Sequence, residues 1–204
     1  MKCPQNIADI AALQPDFMGF IFYPKSPRYV GNLADDALKI IPVSTKKIGV
    51  FVNEAVENIL QTAAQYKLDG IQLHGNESVD VCKRLKNDKL ICIKAFSIGS
   101  EQDLNLVAPY VSCVDYFLFD TQTPTHGGSG KKFDWHWLDA YHESVPFFLS
   151  GGIGSEDAAI ISKIKHPQLF GVDVNSKFEI EAGIKNVADL RKFIAQVKLI
   201  NNAS

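Results

Sequence analysis

The residues best suited to chemistry stand where short apolar runs give way to polar loops. In "YFLFDTQTPTHGGSGKKFDWHWL" (116–138), Tyr116 to Phe119 lead into a single carboxylate, Asp120, and then into a loop holding Gly127, Gly128 and Gly130. An unpaired carboxylate in apolar surroundings is costly, so an acid placed there is paired, hydrogen-bonded or chemically employed. Asp120 is either a loop cap, a partner of Lys94 from a neighbouring run, or a reacting group. Other junctions have the same character. "YPKSPRYV" (23–30) presents Lys25 and Arg28 in a loop stiffened by Pro24 and Pro27, and "HGNE" (74–77) is led by His74. Arg28 is either a surface arginine or a fork for a carboxylate. His74 either packs and caps or lines a site.

"SGGIGSED" (150–157) and "DVNSKFE" (173–179) form a pair. Gly151 and Gly152 permit close backbone approach, and the helix expected from Ser155 would offer N–H groups to an anion. Taken alone the glycines make a tight turn as readily as an anion site. Paired with Asn175, Ser176 and Lys177 at the next junction, they suggest a two-part phosphate cradle.

Elements must position these residues. The runs at 17–22, 47–52, 70–73, 90–96, 116–120, 146–150 and 170–174 are brief and rich in β-branched or aromatic residues, which predicts seven strands. Helical patterns lie between them, at 34–41, 54–66, 78–86, 101–110, 133–141, 155–164 and 186–200, and one more precedes the first strand near Pro4. Strict alternation implies parallel strands with helical crossovers. Eight helices against seven strands mean that the chain begins half a unit late. A (β/α)₈ barrel without its first strand accounts for the count, and a doubly wound open sheet is the competing fold. The expectation is one TIM-barrel domain over 1–204, with seven parallel strands and about eight helices. Its chemistry would sit at the C-terminal strand ends.

Composition narrows the partners. With 204 residues, 46% of them hydrophobic, the chain can bury one sizeable core. Lysine and arginine number 21 against 23 acids, a net charge of −2, so no nucleic-acid or membrane surface is advertised. Phosphate recognition must then be local. Cys3, Cys82, Cys92 and Cys113 show no metal spacing and no disulfide density, which fits a reducing cytoplasm. No signal peptide is evident, and no apolar run approaches the ~20 residues of a membrane span.

Five stretches, "MGFIFYPKSPRYV", "GIQLHGNE", "FDTQTPTHGGSGKKFDW", "LSGGI" and "GVDVNSKFE", occur in one order over nearly the whole chain. Together they resemble phosphoribosylanthranilate isomerase, the (β/α)₈ enzyme of tryptophan biosynthesis. The resemblance implies an Amadori rearrangement of a small phosphoribosyl substrate, with no metal or organic cofactor, by a monomer or homodimer. It implies that Asp120 is the general acid and that Arg28 meets the anthranilate carboxylate. Gly151, Gly152, Asn175 and Ser176 match the phosphate site, and His74, Gly128 and Asp173 join them as substrate-binding positions.

Two departures from the family accompany the match. Members commonly carry Ser-Ser-Gly where this chain has Asn175, Ser176 and Lys177, which leaves the role of Lys177 open. The family also opens with a K-[IV]-C-G-[IM] strand whose cysteine is the general base, and Met1 aligns two places after that cysteine. The base is therefore expected to be absent from these residues, and Cys3, beside Pro4, is no natural substitute. The favoured reading is an isomerase with a misassigned start or a shortened chain, impaired as it stands, with a seam between the strands at 17–22 and 170–174 that is either open or closed by a neighbouring molecule. Another phosphosugar barrel enzyme or a catalytically silent phosphosugar-binding barrel are the alternatives.

Overall fold

The structure, a computed structural model, describes residues 1–31, 33–34, 36–86, 89–122 and 132–201. All seven anticipated runs are strands: β1 (Phe17–Ile21), β2 (Lys46–Phe51), β3 (Gly70–Leu73), β4 (Ile91–Ile98), β5 (Tyr116–Thr121), β6 (Phe147–Leu149) and β7 (Leu169–Val172). They form one parallel sheet whose spatial order is the chain order, β1 to β7, so β1 and β7 are its two ends. The runs are short and apolar because parallel strands with helical crossovers are covered on both faces.

Side chains alternate between the two faces. Ile48, Ile93, Ala95, Leu118 and Phe148 make an inner cluster, with Phe17, Ile91 and Tyr116 packed against it. The residues between them, among them Phe20, Phe51, Leu73, Cys92 and Phe119, pack outward into the main core beneath the helices. The Phe17 ring of β1 meets Phe170 of β7 with centroids 6.0 Å apart, so the sheet curls until its ends face each other. A register shift between Phe147 and Phe148 leaves Phe170 as the extra residue there.

The helices are α1 (Pro4–Ala11), α2 (Val56–Tyr66), α3 (Val79–Lys86), α4 (Ala158–Ile161) and α5 (Val187–Asn201). α1 starts with Pro4 in its first turn and buries Ile7, Ile10 and Ala11 along one face. Glu101–Tyr110 and Trp135–Ala140 are 3₁₀ helices, and a 3₁₀ turn at Ser155–Asp157 leads into α4. Seven of the eight anticipated helical stretches are thus helical. The stretch at 34–41 is not. It makes a series of turns, Ala37 N to Ala34 O, Lys39 N to Asp36 O and Ile41 N to Leu38 O, because Pro42 bars elongation and disfavours helical backbone at Ile41. An antiparallel hairpin that the sequence did not suggest follows β7, with strands β8 (Glu179–Glu181) and β9 (Ile184–Lys185) turning at Gly183 (φ +87°). Asn6 of α1 docks on it: its Nδ2 donates to Lys185 O at 2.9 Å, and its Oδ1 accepts from Lys185 N at 2.8 Å.

Candidate active site

Asp120 stands at the end of β5, two residues on from inner-face Leu118, so its carboxylate shares the inner face of the sheet. Its Oδ1 accepts from Thr121 N at 2.9 Å, and its Oδ2 lies 3.4 Å from His74 Nε2. Each of these two side chains is 31% exposed, open enough to meet a ligand and covered enough to be oriented. His74 follows β3, and its Nδ1 is 2.8 Å from Gln72 Oε1. Asp173, just past β7, completes a group of ionisable side chains. Burial pushes its carboxyl up and repulsion from Asp120 adds to this, while Lys185, His74 and a hydrogen bond from Ser150 pull it down. Lys94 does not pair with Asp120. It points to the outer face, between Cys92 and Phe96, where its Nζ lies 3.2 Å from Glu77 Oε2 and donates to the carbonyls of Leu73, Gly75 and Ala95.

The loop after β6 turns through Gly151 (φ +92°) and Gly152 (φ +68°). A Cβ at Gly151 would lie 2.2 Å from Thr121 Oγ1 and 2.5 Å from Thr121 N, so the backbone of this loop is pressed against the end of β5. The helix expected from Ser155 is capped one residue earlier: Asp157 Oδ2 takes the N–H of Gly154 at 2.7 Å. Lys132 in turn holds Asp157 at 2.6 Å. Across the next junction Asn175 precedes a single 3₁₀ turn, Ser176–Phe178, and Lys177 is exposed. Gly128 lies outside the described residues. Cys3 serves as the N-cap position of α1, its carbonyl accepting from Ile7 N at 2.9 Å.

Arg28 lies in a buried ion pair. Its Nε is 3.1 and 2.9 Å from the two Glu179 oxygens, and its Nη2 is 2.8 Å from Oε2. Glu179 also accepts from Lys185 Nζ at 3.0 Å and from Gly183 N at 3.1 Å. Lys185 Nζ reaches on to Asn175 O at 3.0 Å and to Asn175 Oδ1. Burial alone would raise the Glu179 carboxyl, but the two cations outweigh it and hold it below its usual range. Lys185 is lowered: burial, with Arg28 adding, outweighs the pull of the one shared carboxylate and of Asp173. Sequence reasoning missed Glu179 and Lys185 because each sits in a two- or three-residue strand. The available signal was the glycine at 183 between two short apolar-polar alternations, "EIE" and "IK".

The candidate residues therefore converge at the C-terminal end of the sheet, from the loops after β1, β3, β5, β6 and β7. The cleft lined by Tyr141, His142 and His166 lies at the opposite end and shares none of them. Residues 1–196 match the family model of N-(5′phosphoribosyl)anthranilate (PRA) isomerase. The N-(5′-phosphoribosyl)anthranilate isomerase of Parabacteroides distasonis is 46% identical over 199 residues, spanning 97% of this chain and 90% of that protein. The crystal structure of phosphoribosyl anthranilate isomerase from Thermotoga maritima superposes with a TM-score of 0.82 at 32% identity, over 97% of this chain and 95% of that one. A phosphoribosyl anthranilate isomerase in complex with reduced 1-(o-carboxyphenylamino)-1-deoxyribulose 5-phosphate superposes with a TM-score of 0.78 at 29% identity, over the same shares.

Proposed function

We infer the reaction from kinship: the chain belongs to the N-(5′-phosphoribosyl)anthranilate isomerase family of tryptophan biosynthesis. The reading is the rearrangement of the aminoaldose N-(5-phosphoribosyl)anthranilate to the aminoketose 1-(2-carboxyphenylamino)-1-deoxyribulose 5-phosphate, in the cytoplasm and without a metal or organic cofactor. The observation that carries it is the position of Asp120, a half-covered carboxyl at the end of β5 with His74 Nε2 at 3.4 Å. Held there by Thr121 N at 2.9 Å and beside His74, the carboxyl stands where a general acid delivers a proton to the ribose ring oxygen as the ring opens.

The remaining roles follow from charge. Arg28 neutralises the anthranilate carboxylate, and the loops at Gly151–Gly152 and at Asn175–Ser176 receive the phosphate with backbone N–H groups. Gly128 and Asp173 join His74 around the sugar. Removal of the C2 proton requires a base.

Asp120→Asn tests the reading. Turnover should fall by ~10²–10⁴-fold, the usual contribution of a positioned acid, with little change in the dissociation constant of the reduced aminoketose. A variant that turns over substrate like the parent would remove Asp120 from the chemistry. Where basal turnover is too low to measure, the comparison is made in a chain extended by a K-[IV]-C-G strand.

A further inference from the structure

The β8–β9 hairpin takes no part in the reaction as drawn above, yet it supplies the two best-covered charges beside Arg28. Side-chain exposure is 4% for Glu179, 10% for Lys185 and 14% for Arg28, so the carboxylate stands behind and the guanidinium in front. A guanidinium carries five N–H groups in one plane. Glu179 engages the edge formed by Nε and Nη2, and in doing so fixes that plane. The edge formed by Nη1 and the second N–H of Nη2 remains in the same plane, with the spacing that a second carboxylate accepts.

Glu179 cannot easily turn away, because Lys185 Nζ at 3.0 Å and Gly183 N at 3.1 Å hold its Oε1. Arg28 and Lys185 share this one carboxylate, and of the two cations Arg28 is the more exposed and the one with a free edge. Lys185 is fixed in turn. Its backbone is paired with Asn6 on both sides of the peptide, and its ammonium caps the Asn175 carbonyl at 3.0 Å. One buried lysine thus touches both the partner of Arg28 and the loop assigned to phosphate.

We propose that Glu179 is the positioning residue that turns the open edge of Arg28 toward the substrate carboxylate, and that Lys185 couples that end of the substrate to the phosphate loop at Asn175. The proposal rests on the isomerase reading and adds to it two residues that do not touch substrate.

Calorimetric binding of two probes tests it: reduced 1-(o-carboxyphenylamino)-1-deoxyribulose 5-phosphate, and the analogue lacking the carboxyl group. The parent chain should prefer the carboxylated probe by roughly tenfold to a hundredfold, the worth of a charged hydrogen-bonded pair. Glu179→Gln should bring the preference to within about threefold while leaving the affinity for the carboxyl-free probe unchanged. Glu179→Asp keeps the charge on a side chain one methylene shorter, and it should give an intermediate preference. Lys185→Met should weaken both probes by similar factors. Full preference retained in Glu179→Asp and Glu179→Gln, or equal loss of both probes in Glu179→Gln, would overturn the proposal. A parent chain that binds neither probe would sink the isomerase reading itself and this proposal with it, an outcome distinct from unchanged variants.

Discussion

A carboxylate buried beside another carboxylate carries a cost that a neutral isostere removes, and Asp173 is in that position. Burial raises its pKa above the ordinary 3.8 and Asp120 adds repulsion, so the folded state disfavours the ionised form of this group. The sign follows: the penalty is present above the folded-state pKa and fades as pH falls toward the unfolded value. Asp173→Asn is therefore expected to raise the melting temperature at pH 7 and to lose that advantage by about pH 4. Calorimetric scans at the two pH values check it, and equal differences at both would show that the shift is not the cause. Arg28 allows a second prediction at this scale. Its own partner Glu179 is nearly covered, so Arg28→Ala takes one of two cations from a covered acid as well as removing a ligand contact. Substrate affinity should fall by ~1.5–3 kcal/mol, and stability should fall in parallel. Loss of affinity with unchanged stability, measured by urea titration, would show that the pair with Glu179 does not hold in solution. Asp120, His74 and Arg28 were legible because chemistry in this fold gathers at strand ends. Gln72 and Ser150 were not, because inward-facing polar residues look like strand residues until the registry is known.

Among elements, the strands were easiest to read and the helices hardest. A strand covered on both faces shows as a short apolar run whatever its neighbours, whereas a 3.6-residue period does not separate an α-helix from the 3₁₀ helices at Glu101–Tyr110 and Trp135–Ala140. Pro109 inside the first of these removes a donor, a local cue to irregularity. The cap at Ser100 did appear as expected, as a capping box with Asp103. The loop from β3 to α3 depends on a buried pair that no periodicity announces. Glu77 and Lys94, 2% and 3% exposed in their side chains, together satisfy the N–H groups of Asn53 and Gly75 and the carbonyls of Leu73, Gly75 and Ala95. Breaking the pair by Lys94→Met should cost about 3–5 kcal/mol, since it leaves an uncompensated buried charge. The double variant Lys94→Met with Glu77→Leu removes the charge but still strands backbone partners, so it should recover only part of the loss. Chemical denaturation of both variants decides this: full recovery in the double variant would mean that the backbone contacts contribute nothing.

For the whole molecule, the open question in the sheet is what faces β1 and β7. The even-numbered residues on and flanking β1 bond toward β2, with Lys46 N donating to Asp16 O and Phe22 N donating to Val50 O, so Phe17, Gly19 and Ile21 turn their peptide groups to the outer edge. Val30 N donates to Ile21 O at 3.0 Å and covers the top of that edge, while the Phe17–Phe170 contact draws the two ends together lower down. Between those points no strand pairs with β1 on that side among the described residues. Such an edge is a template for another strand. A strand of the K-[IV]-C-G type added ahead of Met1 is expected to pair there, contributing several ladder hydrogen bonds at about 1 kcal/mol each. For a chain of this size that raises the melting temperature by roughly 2–4 °C per kcal/mol. On the proposed reading the cysteine of that strand acts as the base, so turnover should rise by ~10²–10⁴-fold in the same protein. The unextended chain should also show concentration-dependent association by sedimentation, and the extended one should not, since its edges are paired. Replacing the added cysteine by serine separates the two effects: the gain in stability should stay and the gain in turnover should vanish. Equal rates and equal melting temperatures with and without the strand would show that neither the base nor the ladder is lacking in the chain itself.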